Sequence, residues 1–245
     1  QTPNLFKKKI LISSNKAYCV LYSSDNSLLK RNNWCAIMNK YILFLKGVLH
    51  MKVLLINGSP NKQGCTFTAL SEVAKSLNAE GIETEIFHLG TKAIRGCIGC
   101  NQCANNRCSY TADIVNEALE KAEGADGYIF GSPVHYAAAS GAITSFLDRF
   151  FYAAGAMHAY KPGAAVVTCR RGGASSALDQ LNKYFTIRNM PVVSSKYWNM
   201  LYGTTPEEIL NDKEGLEIMQ QLGKNMAWLL KSIEAGKKAG VCQPQ

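Results

Sequence analysis

From Met51 onward, short apolar runs alternate with longer stretches in which apolar residues recur every three or four positions. The run Val53 to Ile56 has no polar member, as a strand buried on both faces requires, and an amphipathic helix follows it from about Thr66 to Leu77. Strands and helices that alternate in this way indicate a parallel sheet with helices on both faces. At 245 residues with 47% apolar content, the chain is long enough for one α/β domain with a complete core.

Four more strands and four more helices complete the predicted pattern, and a cysteine-bearing loop interrupts it at 90–109. We expect Thr111 to cap the helix that follows this loop. The further strands are predicted at 84–87, 127–131, 164–168 and 191–194, and the further helices at 113–123, 141–152, 175–187 and 214–233.

The loop between the first strand and the first helix has the composition of an anion-binding loop. Backbone N–H groups at a helix N-terminus lack partners within the helix and lie at the positive end of its dipole, and the hydroxyls of Ser59 and Thr66 would join them. Gly58 and Gly64 allow close approach. A nucleotide triphosphatase loop needs Lys and then Ser or Thr after its last Gly, where this chain has Cys65 and Thr66, and G-x-G-x-x-G is absent. The loop therefore favours a single phosphate, on a mononucleotide such as FMN, over a triphosphate or a dinucleotide. The less favoured alternative is an ordinary polar turn that binds no ligand.

Three motifs follow one another along the chain: Gly58-Ser59-Pro60…Gly64-Cys65-Thr66, Gly131-Ser132-Pro133-Val134-His135-Tyr136 and Phe146-Leu147-Asp148-Arg149. Together they resemble the flavodoxin-like NAD(P)H-dependent FMN reductases, including iron–sulfur flavoproteins, over residues 51–239. The resemblance implies a flavodoxin-like, doubly wound, five-stranded parallel sheet in the order 2-1-3-4-5. In such a sheet a ligand lies at the carboxyl ends of strands 1 and 3, where the order reverses. The resemblance also implies a homodimer or a homotetramer. We give Asp148 and Arg149 a structural interpretation, as an ion pair or helix cap.

The loops after strands 3 and 4 supply further candidates for cofactor binding. His135 and Tyr136 are candidates for contact with the flavin ring, Tyr136 by stacking, although a hydrogen-bonded loop histidine without a catalytic part is an equal alternative. Arg170 and Arg171, with the loop amides, could hold a flavin carbonyl edge or the phosphates of NAD(P)H, and the alternative is a solvated basic loop. The predicted cofactor-binding residues are Ser59, Asn61, Gly64, Cys65, Thr66, Pro133, Val134, His135, Tyr136, Thr168, Arg170 and Gly172.

The stretch 197–203, Tyr-Trp-Asn-Met-Leu-Tyr-Gly, is unusually aromatic for a connection that leads to a helix. Core packing is the default interpretation. If the aromatic side chains are exposed, they form a patch that needs a partner, and if they fold over the flavin, they shape the acceptor pocket.

Cys97, Cys100, Cys103 and Cys108 form a C-x2-C-x2-C-x4-C run, the most specific local signal in the chain. Four thiolates this close can ligate a [4Fe–4S] cluster, and they can also form a closed zinc site or remain redox-active thiols. These alternatives stay open at the level of sequence. Cys65 lies in the phosphate loop, where we expect N–H contact rather than thiol chemistry and a thiol pKa lowered by the helix N-terminus.

The net charge of +9 does not indicate nucleic-acid binding, because most of it lies in the first fifty residues. That segment holds eight Lys and Arg residues against Asp25 alone, whereas the rest holds 19 basic and 17 acidic residues. A folded part that is nearly neutral lacks the basic stripe a phosphate backbone demands. We expect residues 1–50 to be an N-terminal extension, with Met51 as the native start and 51–240 as the FMN-binding domain.

No membrane role is expected, because the apolar run from Tyr41 to Leu45 is far below spanning length and Lys46 interrupts it. The clustered cysteines suit a reducing compartment, so a cytoplasmic location is expected.

The sequence and the resemblance together predict an FMN-dependent oxidoreductase. It would pass electrons from NAD(P)H through the flavin to a free flavin, quinone, nitro or azo compound, or to a protein. One alternative is an electron-transfer carrier in which FMN and a cluster shuttle electrons between protein partners, and another is a protein that uses FMN as a structural or sensing ligand.

Overall fold

The computed structural model describes residues 7–13, 16–22 and 51–244, and the chain divides into two units after Leu49. In the first unit, strands β1 (Lys7–Ser13) and β2 (Lys16–Tyr22) pair antiparallel. The sequence patterns did not predict this hairpin. The run from Tyr41 to Leu45 lies outside the described residues, and the assignment of 1–50 as an extension stays a prediction.

Five parallel strands form the central sheet of the second unit. They are β3 (Lys52–Asn57), β4 (Glu83–His88), β5 (Gly127–His135), β7 (Gly163–Cys169) and β8 (Met200–Tyr202). The spatial order β4-β3-β5-β7-β8 is the 2-1-3-4-5 order of a flavodoxin-like sheet, and the predicted fold class is confirmed. A two-residue strand, β6 (Ala138–Ala139), pairs antiparallel with the end of β5.

Helices cover both faces of this sheet. They are α1 (Cys65–Ala79), α2 (Val115–Glu123), α3 (Gly141–Ala153), α4 (Ala174–Thr186), α5 (Pro206–Asn211) and α6 (Lys213–Lys238), with a 3₁₀ turn at Gly155–His158. Successive residues of β5 face opposite cores: Tyr128 and Phe130 pack with residues of α2, α3 and α4, and Ile129 packs with residues of α1 and α6. Burial on both faces explains why the strands read as continuous apolar runs. Within the described residues, no helix combines the length and apolar content needed to cross a bilayer.

The fifth position of the sheet differs from the prediction of a strand at 191–194. Val192 forms only an isolated bridge with Gly163, and β8 pairs with the far end of β7, opposite Val167 to Cys169. The chain leaves the sheet between these two contacts. The Gly163 N–H donates to the Pro191 carbonyl and the Val193 N–H donates to the Gly163 carbonyl, but the pairing does not continue beyond this bridge, so the edge is divided into two short pieces.

The predicted cap of the helix after the cysteine loop is also wrong. Helix α2 begins at Val115 with Ile114 as its N-cap, and Thr111 is exposed outside the helix. The Val115 N–H donates to Asp113 Oδ1 at 3.3 Å, so a carboxylate two residues before the helix takes over the role expected of the threonine.

Candidate cofactor site and cysteine cavity

The loops that leave β3, β5 and β7 meet at one edge of the sheet. These strands are parallel neighbours, so their carboxyl ends point the same way. The Gly58 N–H donates to the Gly131 carbonyl oxygen at 2.9 Å, which joins the first loop to the second strand end. A Cβ placed on Gly173 would lie 2.4 Å from Ala137 Cα, so the third loop packs directly on the second. The structure therefore brings the three predicted loops together.

The first loop is shaped by Asn57, a residue that the sequence analysis did not select. Asn57 is fully buried; its Oδ1 accepts from the Ser59 N–H at 3.1 Å and its Nδ2 donates to the Lys62 carbonyl at 3.2 Å. Ser59 Oγ accepts from the Asn61 N–H at 3.1 Å. The Ser59 hydroxyl proton therefore stays available for an anion. A polar residue at the end of an otherwise apolar strand was the sequence signal for Asn57.

Helix α1 begins without a side-chain cap. Its N-cap residue Gly64 offers no side chain to the N–H groups of the first turn, and no acidic residue lies in that turn. By contrast, α5 and α6 are capped by Thr205 and Asp212. An uncapped first turn keeps its N–H groups and its positive dipole end free for an external anion.

Thr66 and Thr168 link the first loop to the third. Their Oγ1 atoms lie 2.9 Å apart, and both side chains are almost completely buried. Because one hydroxyl must donate to the other, one of the two protons remains free for another acceptor. Two residues that the sequence placed in separate loops thus act as one polar pair beneath the edge of the sheet.

Cys65 differs from the expectation of a lowered pKa. Burial raises the pKa of the Cys65 thiol, and the nearby carboxylates of Glu208 and Glu207 add to the increase. Its own backbone N–H acts in the opposite direction and is outweighed. Its Sγ lies 3.9 Å from the Gly203 carbonyl oxygen. The thiol stays protonated at neutral pH, so Cys65 does not present a reactive thiolate at this edge.

The second loop is a tight hairpin rather than the open loop that the sequence suggested. Strand β5 continues to His135, and Tyr136 and Ala137 turn the chain with φ of 50° and 60°. Pro133 and Val134 are half-buried within the strand, and His135 is exposed. Tyr136 is fully exposed at the tip of the hairpin. The aromatic ring is presented to solvent beside the candidate cofactor edge.

Ser140 holds the hairpin, the first loop and helix α3 together. Its Oγ donates to the Gly58 carbonyl at 3.1 Å and accepts from the Ile143 N–H at 3.4 Å, and its N–H donates to Ser132 Oγ at 3.0 Å. Ser140 is 2% exposed. No sequence motif pointed to this residue, and only its position before an amphipathic helix could have done so.

We expect Ser140→Ala to lower the free energy of unfolding by about 2 kcal/mol, because it removes a helix cap and leaves the buried Gly58 carbonyl without its donor. Urea titration of the apoprotein measures this loss. Ser145→Ala, on the same helix, is the matched control and should change stability little. Equal stabilities of the Ser140 variant and the parent would contradict the proposed role of Ser140.

The third loop presents its charged residues to solvent. Arg170, Arg171 and Gly172 are exposed, whereas Cys169 before them is buried. Helix α4 begins after Gly173, which has φ of +86° and offers no side-chain cap. Two uncapped helix starts, those of α1 and α4, thus lie at the same edge of the sheet.

The aromatic stretch after β7 does not belong to the core, which corrects the default interpretation. Tyr197 and Trp198 are 54% and 59% exposed, and their ring centroids lie 5.0 Å apart. Tyr202, opposite Cys169 in the sheet, is 44% exposed. Only Asn199, Met200 and Leu201 of this stretch are buried, so the aromatic rings are available to a bound molecule.

All four cysteines of the C-x2-C-x2-C-x4-C run line one cavity of about 230 Å³. Cys97 and Cys100 are exposed, Cys103 is partly buried and Cys108 is buried. The loop turns tightly around this cavity, with left-handed backbone at Gly99, Asn101, Asn105 and Asn106. The close sequence spacing therefore becomes a spatial cluster of thiols.

The thiols differ in their acidity. The Ser109 hydroxyl, 3.5 Å from Cys100 Sγ, lowers the pKa of the Cys100 thiol. Burial raises the pKa of Cys103, and its neighbours Cys108 and Cys100 add to the increase. Among the residues that the structure describes, no three His, Cys, Asp or Glu side chains converge closely enough to hold a single metal ion.

Arg149 pairs across the fold rather than with its neighbour Asp148. It contacts the carboxylate of Asp113, with both side chains almost fully buried. Asp148 instead accepts a hydrogen bond from the Tyr184 hydroxyl at 2.5 Å. Arg149 also lines the cysteine cavity, so the structural role expected of it concerns the cysteine loop.

Residues 51–205 match the family described as NADPH-dependent FMN reductase. An iron–sulfur flavoprotein of Methanocaldococcus jannaschii is 36% identical over 192 residues, which are 75% of this chain and 100% of that protein. A solved structure of a flavone reductase superposes with a TM-score of 0.60 at 19% identity, over 75% of this chain and 64% of that one. An archaeal flavodoxin superposes with a TM-score of 0.51 at 14% identity, over 74% of this chain and 99% of that one. The two superpositions concern the fold alone.

Proposed function

The chain belongs to the NADPH-dependent FMN reductase family, and from that premise we propose that it binds FMN at the carboxyl edge of its sheet and oxidises NAD(P)H. Bound FMN supplies the redox chemistry, because it accepts a hydride and passes the electrons on to an acceptor. The acceptor is a small molecule such as a flavin, quinone, nitro or azo compound, or a redox protein. The protein contributes binding and orientation.

The uncapped start of helix α1 is the observation that carries this proposal. The FMN phosphate would accept from the N–H groups after Gly64 and from the hydroxyls of Ser59 and of the Thr66–Thr168 pair. The flavin ring would then extend along the β5–β6 hairpin, where Tyr136 is exposed. Of the predicted cofactor residues, the buried and half-buried ones shape this cradle and the exposed ones line its rim.

We place the nicotinamide nucleotide beside the third loop. Arg170 and Arg171 are exposed and carry the fork-shaped donors that match phosphate oxygens. Tyr202, which pairs with Cys169 at the carboxyl end of β7, offers an exposed aromatic face at the same end of the sheet. We propose that this rim holds NAD(P)H and, after the nucleotide leaves, the acceptor.

We further propose that Cys97, Cys100, Cys103 and Cys108 hold a [4Fe–4S] cluster. The donor set is four sulfurs, and all four residues line one cavity.

With a cluster present, a second function has a specific observation in its favour. Cys97 and Cys100 are exposed, so a partner protein can approach the cavity directly. The chain would then act as an electron-transfer carrier between protein partners. A cytoplasmic location and a homodimeric or homotetrameric state stay predictions from cysteine usage and family resemblance.

An absorbance spectrum of protein purified without air, recorded before and after NADPH is added, tests these proposals together. We expect flavin bands, a broad shoulder from iron–sulfide charge transfer, and bleaching of the flavin by NADPH. Bleaching by dithionite alone would reject the reductase. It would favour the carrier if the iron–sulfide shoulder is present, and a structural or sensing use of FMN if the shoulder is absent. Colourless protein that does not take up FMN would reject both.

We expect Ser59→Ala to weaken FMN binding about tenfold to a hundredfold, because a hydrogen bond to a charged phosphate is worth about 1.5–3 kcal/mol. Quenching of flavin fluorescence during titration of the apoprotein measures the Kd. Ser71→Ala, whose hydroxyl donates to the Phe67 carbonyl within α1, is the control and should retain the parent affinity. An unchanged Kd for Ser59→Ala would place the phosphate elsewhere.

A further inference from the structure

The Arg149 side chain uses all three of its nitrogens on the cysteine loop. Nε donates to Cys108 Sγ at 3.2 Å, Nη2 donates to the Tyr110 carbonyl at 2.7 Å, and Nη1 donates to the Arg95 carbonyl at 3.2 Å and to Asp113. Arg95 precedes Cys97, the first cysteine of the run. Of the other acceptors, Cys108 is the last cysteine, and Tyr110 and Asp113 follow it. A single guanidinium thus binds both ends of the loop to helix α3.

The groups that make this contact have little surface exposed to solvent. The Arg149 and Asp113 side chains are 2% and 5% exposed, and Cys108 is 8% exposed. The Tyr110 ring lies 5.0 Å from the Arg149 guanidinium carbon and 4.9 Å from that of Arg95. Electrostatic interactions are stronger in such a site than at the surface, so the N–H···S bond to Cys108 is weakly screened.

We propose that Arg149 is a positioning residue of the cysteine cavity, one that holds the Cys108 sulfur in place as a cluster ligand and raises the reduction potential of the cluster. The inference rests on the cluster in the proposed function. The four ligands would then differ in their surroundings, because Cys108 is held by a buried guanidinium whereas Cys97 and Cys100 are exposed to solvent.

The expected increase in the reduction potential follows from the charge of the cluster. A reduced cluster carries one more negative charge than an oxidised one, and hydrogen bonds to ligand sulfurs stabilise the more negative state. The Asp113 carboxylate balances most of the charge of the guanidinium, so the directional N–H···S bond is the part that acts on the sulfur. Asp113 itself orients Arg149 and holds the end of the loop.

Three variants separate this role from a purely structural one. Asp113→Asn retains Arg149 and its donors. The double variant Arg149→Met with Asp113→Asn removes the donors and leaves no buried carboxylate unpaired. Arg149→Lys keeps the charge and loses the planar fork that reaches several acceptors at once. Arg107→Gln is the matched control, since Arg107 adjoins Cys108 in sequence but pairs with Glu123 at the surface.

The measurements are iron and acid-labile sulfide per chain and the midpoint potential of the cluster, on holoprotein purified without air. We expect the double variant to lose bound iron faster to a chelator and to show a more negative potential than Asp113→Asn. Arg149→Lys should lie between the parent and the double variant, and Arg107→Gln should match the parent.

Equal potentials in the double variant and Asp113→Asn would overturn the inference. If the double variant retains no cluster, Arg149→Lys decides: a potential more negative than that of the parent supports the inference, and an equal one overturns it. A parent without iron and sulfide would overturn both the cluster and this inference. Bleaching of its flavin by NADPH would show that the reductase proposal still stands.

Discussion

We expect Gly173→Ala to lower the free energy of unfolding by roughly 3 kcal/mol and to weaken FMN binding at least tenfold. Gly173 has φ of +86°, in the left-handed region where a Cβ is strained. A Cβ there would also lie 2.4 Å from Ala137 Cα, and a backbone atom cannot move aside as a flexible side chain can.

The flavin effect follows from the position of the clash. Gly173 joins the arginine-bearing loop to the hairpin tip, so relief of the clash must push the hairpin and the start of α4 apart. The hairpin carries Tyr136, and the loop carries Arg170, so both sides of the proposed ring site would be displaced. A displacement of about 1 Å is enough to disrupt positioned contacts.

Gly172→Ala is the matched control for this prediction. Gly172 adjoins Gly173, and a Cβ there meets no atom within 4 Å. Urea titration of the apoprotein and flavin titration should show both losses in Gly173→Ala, whereas Gly172→Ala should keep the stability of the parent. Parent-like flavin affinity in Gly173→Ala would mean that contact between the two loops does not shape the cofactor site.

We expect the stability of the protein to fall steeply below pH 6.5, because of His158. This side chain is fully buried between Tyr128, Phe150 and Phe151, with ring centroids 5.0, 4.7 and 5.1 Å away. Neither ring nitrogen has a hydrogen-bond partner of normal geometry among the described residues. Burial lowers the pKa of His158 to about 3, and the Phe150 carbonyl offsets only part of this effect.

The direction of this pH dependence follows from proton binding at His158. Between pH 3 and pH 6.5 the unfolded chain binds a proton at this histidine and the folded protein does not, so acid favours unfolding in that window. The contribution of neutral His158 to the free energy of unfolding is complete above pH 6.5 and is lost as the pH falls toward 3. Over the whole window the loss amounts to as much as ~5 kcal/mol.

His158→Leu tests this prediction with an apolar side chain that does not titrate. The difference in unfolding free energy between pH 7.5 and pH 4.5 should shrink by about 3 kcal/mol relative to the parent. His135→Leu is the control, because His135 is exposed, and it should keep the pH dependence of the parent. Parallel pH profiles for His158→Leu and the parent would show that another group causes the acid loss.

The architecture was largely predictable from sequence. Runs such as that at Val53 to Ile56 must be buried on both faces, and their alternation with amphipathic helices leaves few arrangements besides a parallel sheet. The strand order came from the family resemblance and is confirmed. Two errors fall at the ends of elements, where local patterns are weakest: the cap at Thr111 and the hairpin beyond Gly131. The fifth strand was predicted at 191–194, whereas β8 lies at Met200–Tyr202.

Sequence by itself determined which loops carry the chemistry, because a parallel sheet places the carboxyl ends of its strands at one edge. Only the tertiary structure decided which side chains meet there. The Thr66–Thr168 pair is separated by 102 positions along the chain, and the Arg149–Cys108 contact by 41. Such pairs depend on strand register and helix rotation, which no local pattern encodes. Burial acts in the same way: it raises the pKa of the Cys65 thiol, which the helix N-terminus was expected to lower, because the side chains that surround it come from distant parts of the chain.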